Sequence, residues 1–455
     1  MSMIQPPLTQ EQFRHALARG KGRALAHVRE YGHGGLREDI LEVCLTNHTF
    51  DPGYEEYRVP WLLDILDLTG EPGHYKAHIL AALGRAREPH DADQLFEFAL
   101  EYALGSSEDE PCPKARKAIY DAFKAQRFEQ AHIGGGQVIY LDGAPGLVRV
   151  AKTIGNRLLH ESGYRQRWFG DYLISDALAD LGENEVLDTL AVNASLMPGV
   201  RAFLDEVLLR MDERENGGPH ALPEPGFGEL LAAAADPQGS PFTGYDLAQQ
   251  GARARRRDRS RLAARLAHET RPEVLAGLCW IASSWRDASL VPAFMDLALS
   301  GHPDLSLAAF SALGEMDRAD IRAFGLKLLT ERRDLLGRGL LRLFVSNCHP
   351  GDMLRIEAAL HDPGDAHDLH AMCSDINALA EAFYTQEIKG CLVFAYEMTP
   401  CAHCRTQAVK NLVRQEVAPP ELLQECLDDC SQTTRDLASA VLDGRRDEVD
   451  RMLEK

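Results

Sequence analysis

Residues 301–313 read GHPDLSLAAFSAL. A polar turn, Gly301 to Asp304, opens the stretch, and apolar side chains follow at Leu307, Phe310 and Leu313. Steps of three residues place these side chains on one face of an α-helix. The stretch therefore predicts a helix that starts at a turn and buries a single stripe.

The same order of turn and stripe recurs towards the C-terminus. It returns in residues 399–413, TPCAHCRTQAVKNLV, and in residues 430–441, CSQTTRDLASAV. Turns of this kind are spaced roughly 30–35 residues apart, or twice that, and such periods are typical of helical-repeat solenoids. We therefore predict an all-α fold in which antiparallel helix pairs stack as an α-solenoid.

The first half of the chain shows the same periodicity. Apolar stripes at i, i+3 and i+4 spacing occur in residues 40–45, 61–66, 79–83 and 95–100. Glu71-Pro72-Gly73 and Glu88-Pro89 separate stripes and are typical of helix boundaries. Thr9 and Gln12 have the spacing of a helix capping box. Val138–Leu141 is the best candidate for a strand.

The composition changes over residues 215–260. This stretch is rich in Pro and Gly and ends in a cluster of arginines, Arg253, Arg255, Arg256, Arg257, Arg259, Arg261 and Arg265. We interpret it as a linker or a long irregular connection, with the arginines on a solvated face rather than in a phosphate site. It separates an N-terminal helical-repeat region, residues 1–214, from a C-terminal repeat region, residues 261–455.

Charge and composition narrow the class of protein. Of the 455 residues 45% are hydrophobic and the net charge is −20, which is typical of a folded chain and disfavours nucleic acids and anionic membranes as partners. A basic protein partner is expected instead. The first residues show no secretion signal, and no apolar run approaches the ~18 residues of a spanning helix. We therefore expect a cytoplasmic protein with reduced cysteines.

The early arginines of the predicted helices carry a resemblance to a known family. A short turn followed by an arginine and an Ala/Leu stripe resembles the HEAT repeat, and the arginines in such positions are Arg37, Arg58, Arg116, Arg405 and Arg435. The resemblance implies that such an arginine bonds toward an aspartate of a turn and holds repeats in register. Residues 396–405, 425–429 and 141–147 also resemble segments of uncharacterised bacterial HEAT-repeat proteins, a group that implies no activity.

Four cysteines form the most pointed chemical pattern. Cys401 and Cys404 are spaced C-x-x-C, and Cys426 and Cys430 are spaced i, i+4. In stacked helix pairs the two sets fall on the same edge of adjacent repeats, so they predict a structural zinc site with four thiolates, in which His403 can replace one ligand. The alternatives are buried core thiols and a redox pair.

Other residue clusters have less specific spacing. His361, His367, His370 and Cys373 are interleaved with aspartates, so we favour a solvated acidic turn over a zinc site. Gly134-Gly135-Gly136 precedes an apolar run instead of following one, which favours a plain loop over a phosphate site. An aromatic group, Tyr164, Trp168, Phe169 and Tyr172, is interpreted as packing between helices rather than as a partner pocket.

Two functions fit these observations. The leading hypothesis is a non-catalytic scaffold that binds a protein or peptide partner on a concave helical-repeat surface. The alternative is a HEAT-like enzyme or nucleic-acid-processing protein with a local basic groove, which rests on analogy of fold. No recognisable catalytic motif favours the alternative.

Limited proteolysis tests the proposed division of the chain. We expect the first cuts to fall within residues 215–260, because exposed stretches rich in Pro, Gly and Arg are preferred cleavage sites. The fragments on either side should keep their helical circular dichroism. First cuts inside the apolar stripes of either half would contradict the division.

Overall fold

The computed structural model describes residues 5–51, 55–56, 58–105, 111–125, 133–161, 173, 177–178, 181–215, 226–236, 242–254 and 256–454. Regular structure within these ranges is helical throughout, without a strand. The prediction of an all-α fold is confirmed. No helix in the described part of the chain is both long and apolar enough to cross a membrane.

The chain divides into two units. The N-terminal unit comprises Pro6–His48 and Tyr57–Leu222, and the C-terminal unit comprises Met1–Gln5, Thr49–Glu56 and Pro223–Lys455. The described helices of the N-terminal unit are α1 Gln10–Ala18, α2 Gly22–Tyr31, α3 Arg37–Leu45, α4 Val59–Leu68, α5 Pro72–Leu83, α6 Pro89–Leu104, α7 Pro113–Ala125, α8 Gly135–Asp142, α9 Ala144–His160, α10 Glu183–Ala194 and α11 Pro198–Glu215.

The described elements of the C-terminal unit are also helices. Its described helices are α12 Phe227–Ala235, α13 Gly244–Gly251, α14 Arg256–Leu266, α15 Pro272–Ser283, α16 Val291–Ala298, α17 Pro303–Gly314, α18 Ala319–Glu331, α19 Asp352–Ala359, α20 Ala366–Ala382, α21 Lys389–Met398, α22 Ala402–Arg414, α23 Pro420–Cys426, α24 Gln432–Leu442 and α25 Arg446–Glu454. Short 3-10 helices cover Ala288–Leu290, Arg333–Arg338, Leu340–Phe344 and Gln386–Ile388.

The helix starts follow the sequence closely. Thr9 and Gln12 form the predicted capping box at α1, each side chain accepting from the backbone N–H of the other. Pro72 and Pro89 begin α5 and α6 instead of ending the helices before them. A proline loses nothing in the first turn, because the N–H that it lacks would have no partner there.

The structure also tests the predictions for the glycine run and for the candidate strand that follows it. Gly134 has φ of 79° and lies against the ring of Phe96, where a Cβ would approach within 2.4 Å, so a close contact explains this glycine. The loop predicted for the glycine run is wrong for Gly135 and Gly136, which lie in α8. The strand predicted for Val138–Leu141 is wrong, because these residues lie in α8. Val138 and Ile139 face the core while Tyr140 is exposed, which is a helical rather than an alternating pattern.

The described residues of the predicted 215–260 connection are largely helical. They contribute α12, α13 and the start of α14, and Leu230, Leu231 and Leu247 are buried. The boundary between the units, at Leu222 and Pro223, falls in the same stretch. Short helices of eight or nine residues carry too few apolar positions for their periodicity to stand out among Pro and Gly.

One continuous apolar core runs through the C-terminal unit, from Leu230 in α12 to Ala438 in α24. Its main packing is between helices one or two positions apart along the chain, such as α15 with α17 and α20 with α22. Packing between near neighbours is what a helical-repeat array requires.

Polar bonds between elements of the C-terminal unit recur at similar separations along the chain. Arg322 pairs with Asp352, 30 residues later, and Arg342 pairs with Asp375, 33 residues later. The Arg405 guanidinium donates to both carboxylate oxygens of Asp429, at 2.8 and 3.0 Å, and both side chains are fully buried.

Two amide side chains make a second recurring contact. Asn347 donates to the Met316 carbonyl and accepts from the Arg318 N–H, which bridges a turn about 30 residues earlier. Gln415 makes the same bridge, donating to the Ala380 carbonyl and accepting from the Thr385 N–H. The backbone groups of these turns are thereby satisfied by the next helix pair.

Replacing one member of the buried ion pair should destabilise the protein strongly. We expect Arg405→Met to cost about 3–5 kcal/mol, because it leaves the Asp429 carboxylate buried without a counter-charge. The double variant Arg405→Met/Asp429→Leu should recover most of this loss. Urea unfolding followed by circular dichroism measures both effects.

The control is an exposed arginine. Arg445 pairs with Glu448 on the surface, and Arg445→Ala should cost at most about 1 kcal/mol. An equal loss in Arg405→Met and Arg445→Ala would show that the buried pair has no special weight.

Candidate functional site

The C-x-x-C pair lies at the start of α22. Cys401 is the residue that caps this helix, and its Sγ accepts a hydrogen bond from the Cys404 N–H at 3.5 Å. Ser431 caps α24 in the same way, accepting from the Thr434 N–H at 3.3 Å. Cys401 is thus the thiol counterpart of a serine cap thirty residues further along the chain.

A histidine from another helix completes a compact group. His370, half-buried on α20, places Nε2 at 3.2 Å from the Cys404 Sγ. The ligand atoms of His370, Cys401 and Cys404 all lie within 4.8 Å of one another. Within the described ranges no other group of three or more His, Cys, Asp or Glu side chains converges in this way.

The other two predicted zinc ligands lie outside this group. Cys426 donates to the Tyr396 hydroxyl at 3.8 Å, and Cys430 Sγ accepts from the Arg405 guanidinium at 3.5 Å. His403, the predicted substitute ligand, is exposed and is also not part of the group. The structure therefore brings together half of the predicted set, and the four-thiolate site stays a prediction.

The two thiols of the group differ in acidity. A hydrogen bond from the Cys404 thiol lowers the pKa of Cys401 to about 5, with burial opposing this change and His370 adding to it. The same hydrogen bond, together with burial, raises the pKa of Cys404 well above its usual value. The pair therefore favours one thiolate, on Cys401, that is held by the proton of Cys404.

An acidic segment from far earlier in the chain lies against the starts of these helices. Its described residues are 49–51, 55 and 56, and we call it the Glu55–Glu56 segment. One oxygen of Glu55 accepts from the Ala402 N–H at 3.0 Å. Its other oxygen accepts from the N–H groups of Phe50 and Asp51, at 2.8 and 2.9 Å, which fixes the carboxylate in place.

Glu56 performs the same role at the start of α24. Its carboxylate accepts from the Gln432 N–H at 2.5 Å, from the Thr433 hydroxyl at 2.6 Å and from the Ser431 hydroxyl at 3.3 Å. Burial raises the pKa of Glu56, but these hydrogen bonds outweigh it, so the pKa lies below its ordinary value. Consecutive glutamates thus bind the starts of α22 and α24.

Phe50 of the same segment contacts two histidines. Its ring centroid lies 4.6 Å from that of His370 and 5.2 Å from that of His367. The interpretation of this histidine region as a solvated acidic turn is wrong for His370 and Cys373. Both lie on α20, where His370 joins the thiols and Cys373 is fully buried.

The aromatic group and the arginine cluster of the sequence analysis provide no candidate site among the described residues. The aromatic group Tyr164, Trp168, Phe169 and Tyr172 lies outside the described residues, as does Arg255 of the arginine cluster. Arg259 lies over the ring of Trp285 at 5.4 Å, and Arg257 approaches the buried Asp258. At least two arginines of the cluster therefore have partners within the protein.

Sequence reasoning missed Glu55 and Glu56, and it named His370 only in a cluster for which a solvated acidic turn was favoured over a zinc site. The glutamates lie 347 to 377 residues from their partners, and no local spacing links such distant residues. His370 had a weak signal, since H-x2-C repeats the spacing of C-x2-C, but the neighbouring aspartates obscured it.

Comparison of the chain with known protein families, with curated proteins and with solved structures finds no match. The interpretation of the site therefore rests on its geometry.

Amide hydrogen exchange tests the two glutamate caps separately. Loss of a cap costs about 1 kcal/mol, so Glu56→Gln should speed exchange of the Gln432 and Thr433 amides on the order of fivefold and leave the Ala402 amide unchanged. Glu55→Gln should have the reverse effect. Equal changes at both helix starts in either variant would contradict independent capping.

The lowered pKa of Glu56 adds a pH dependence to the same experiment. Its contribution to stability is complete above the ordinary value of 4.5 and is lost as the pH falls through the lower value of the folded state. The difference in melting temperature between wild type and Glu56→Gln should therefore shrink as the pH falls below about 4.5.

Proposed function

We propose that this protein is a non-catalytic helical-repeat scaffold of the HEAT type, and that the edge of its C-terminal unit formed by the starts of α22 and α24 binds extended acidic segments of a protein partner. The first part rests on the bonds between helix pairs. The second rests on the way in which the Glu55–Glu56 segment is bound.

Some of the arginines that suggest HEAT repeats make the contacts that the resemblance implies, whereas Arg58 donates to the Ala18 carbonyl instead. Arg405 bonds to Asp429 in the turn before α24, and Arg435 donates to the Cys430 carbonyl of that turn at 3.1 Å. Arg37 pairs with Glu71 and Arg116 with Asp142, 34 and 26 residues later. Together with the Asn347 and Gln415 bridges, these bonds support a stack of similar units with a period near 30 residues.

The docking of the Glu55–Glu56 segment is the observation that carries the partner chemistry. Helix starts leave backbone N–H groups without intrahelical partners and bear a partial positive charge, so they bind carboxylates. Here two helix starts from adjacent pairs receive two consecutive carboxylates. Phe50 adds an aromatic contact to His370. An aromatic residue followed by paired glutamates is therefore the pattern that this edge recognises.

The partner is inferred from local rather than total charge. The net charge of the whole molecule, −20, favours a basic partner. The edge at α22 and α24 has the opposite preference, because its donors are backbone N–H groups and the hydroxyls of Ser431 and Thr433. We propose that a partner presents its acidic segment here in competition with the protein's own.

A binding experiment in solution tests this proposal. The variant Glu55→Gln/Glu56→Gln weakens the internal segment and should bind a labelled synthetic peptide with the sequence of residues 46–58, measured by fluorescence anisotropy. Wild type should bind this peptide at least roughly tenfold more weakly, because its own segment is present at a high effective concentration. Binding should weaken with added salt.

Two controls define the outcome. A peptide with glutamine at both glutamate positions should not bind, and the variant Asp447→Asn/Asp450→Asn, which removes two exposed charges from α25, should behave like wild type. If the Glu55→Gln/Glu56→Gln protein binds neither peptide, the edge is not a site for acidic segments.

A further inference from the structure

We propose that His370, Cys373, Cys401 and Cys404 bind one zinc ion that joins α20 to the start of α22. The proposal is independent of partner binding, since it concerns side chains of the helices themselves.

Three of the ligands are already arranged for a metal. In a tetrahedral site with Zn–S of about 2.3 Å and Zn–N of about 2.0 Å, the ligand atoms stand roughly 3.5–3.8 Å apart. The observed 3.2 Å between Cys404 Sγ and His370 Nε2, with all three atoms within 4.8 Å, needs only small side-chain rotations to match. Thiolate and imidazole are the ligands that zinc prefers in proteins.

Cys373 is the residue that completes the set. It lies three residues after His370 on α20, so both point to the same side of the helix, and its side chain is fully buried. The charge of Cys373 contributes, after the hydrogen bond to Cys401 and burial, to the raised pKa of Cys404, so the Cys373 thiol lies in the same region, although it is not within 4.8 Å of all three other ligand atoms. The ligands then come as H-x2-C and C-x2-C from two packed helices.

The surroundings also fit a closed metal site. The Cys404 N–H points to the Cys401 Sγ, and the Asn377 amide donates to the Cys404 carbonyl at 3.0 Å, so the backbone that carries the thiols is fixed. Phe50 lies beside the His370 ring. Four protein ligands leave no coordination position for water, so the zinc would be structural.

The pattern differs from a four-thiolate site built on Cys426 and Cys430. Those thiols bond to Tyr396 and Arg405, and the Arg405–Asp429 ion pair is part of the same contact. A variant that lacks the Cys426 and Cys430 thiols therefore separates the two sites.

The test uses the full chain, purified without added metal or chelator. Wild type should contain one zinc per chain by mass spectrometry of the metal. His370→Ala, Cys401→Ser and Cys404→Ser should each reduce the content to below about one tenth, since loss of a ligand opens the site. Cys426→Ser/Cys430→Ser should keep the full content.

Cobalt substitution tests the ligand set by its absorption spectrum, without a change at Cys401 or Cys404. Cobalt added to the zinc-depleted wild-type protein should give the absorption of a tetrahedral site with three thiolates, and Cys373→Ser should lower its charge-transfer intensity to that of two. This measurement remains decisive if Cys401→Ser or Cys404→Ser fails to fold.

Several results would overturn the proposal. They are metal-free wild type, a Cys401–Cys404 disulfide in the freshly purified protein, loss of zinc in Cys426→Ser/Cys430→Ser, or a cobalt spectrum that Cys373→Ser leaves unchanged.

Discussion

The start of every α-helix leaves backbone N–H groups that the helix itself cannot satisfy. In this protein the constraint is met in three ways. Proline removes one of the N–H groups, as at Pro72 and Pro89. Side chains such as Thr9 and Ser431 accept from another. Carboxylates from a distant segment supply the rest at α22 and α24. The candidate functional residues gather where the third solution is used.

Two helix starts of this protein have the same kind of cap but different chemistry. Cys401 and Ser431 both cap helices by accepting a backbone N–H three residues later. The hydroxyl of Ser431 also donates a hydrogen bond to Glu56, whereas the thiol of Cys401 lies close to Cys404 and His370. A reactive group can thus occupy a position whose geometry is already fixed by the start of a helix.

Sequence spacing predicted what is local and missed what is distant. The stripes near residues 40, 61 and 310, the capping box at Thr9 and the early position of Cys401 all follow from contacts within a few residues, and the structure has them. His370 was not grouped with Cys404, because the packing of α20 on α22 decides that contact. Glu55 lay beyond any spacing rule. Val138–Leu141 was misassigned because a short apolar run fits a strand or a helix equally well.

The Glu55–Glu56 segment also bears on how the chain folds as it is made. It belongs by its contacts to the C-terminal unit, yet it is synthesised some 350 residues before the groups that it binds. Domains generally fold as they emerge from the ribosome, N-terminal part first. Glu55 and Glu56 therefore lack these partners until α22 and α24 have been synthesised. Charged side chains suit this order of synthesis, because water can form their hydrogen bonds at no cost until the partners exist. An apolar segment would be buried early instead. The hydrogen bonds of the two carboxylates therefore form only after both helix starts have been made.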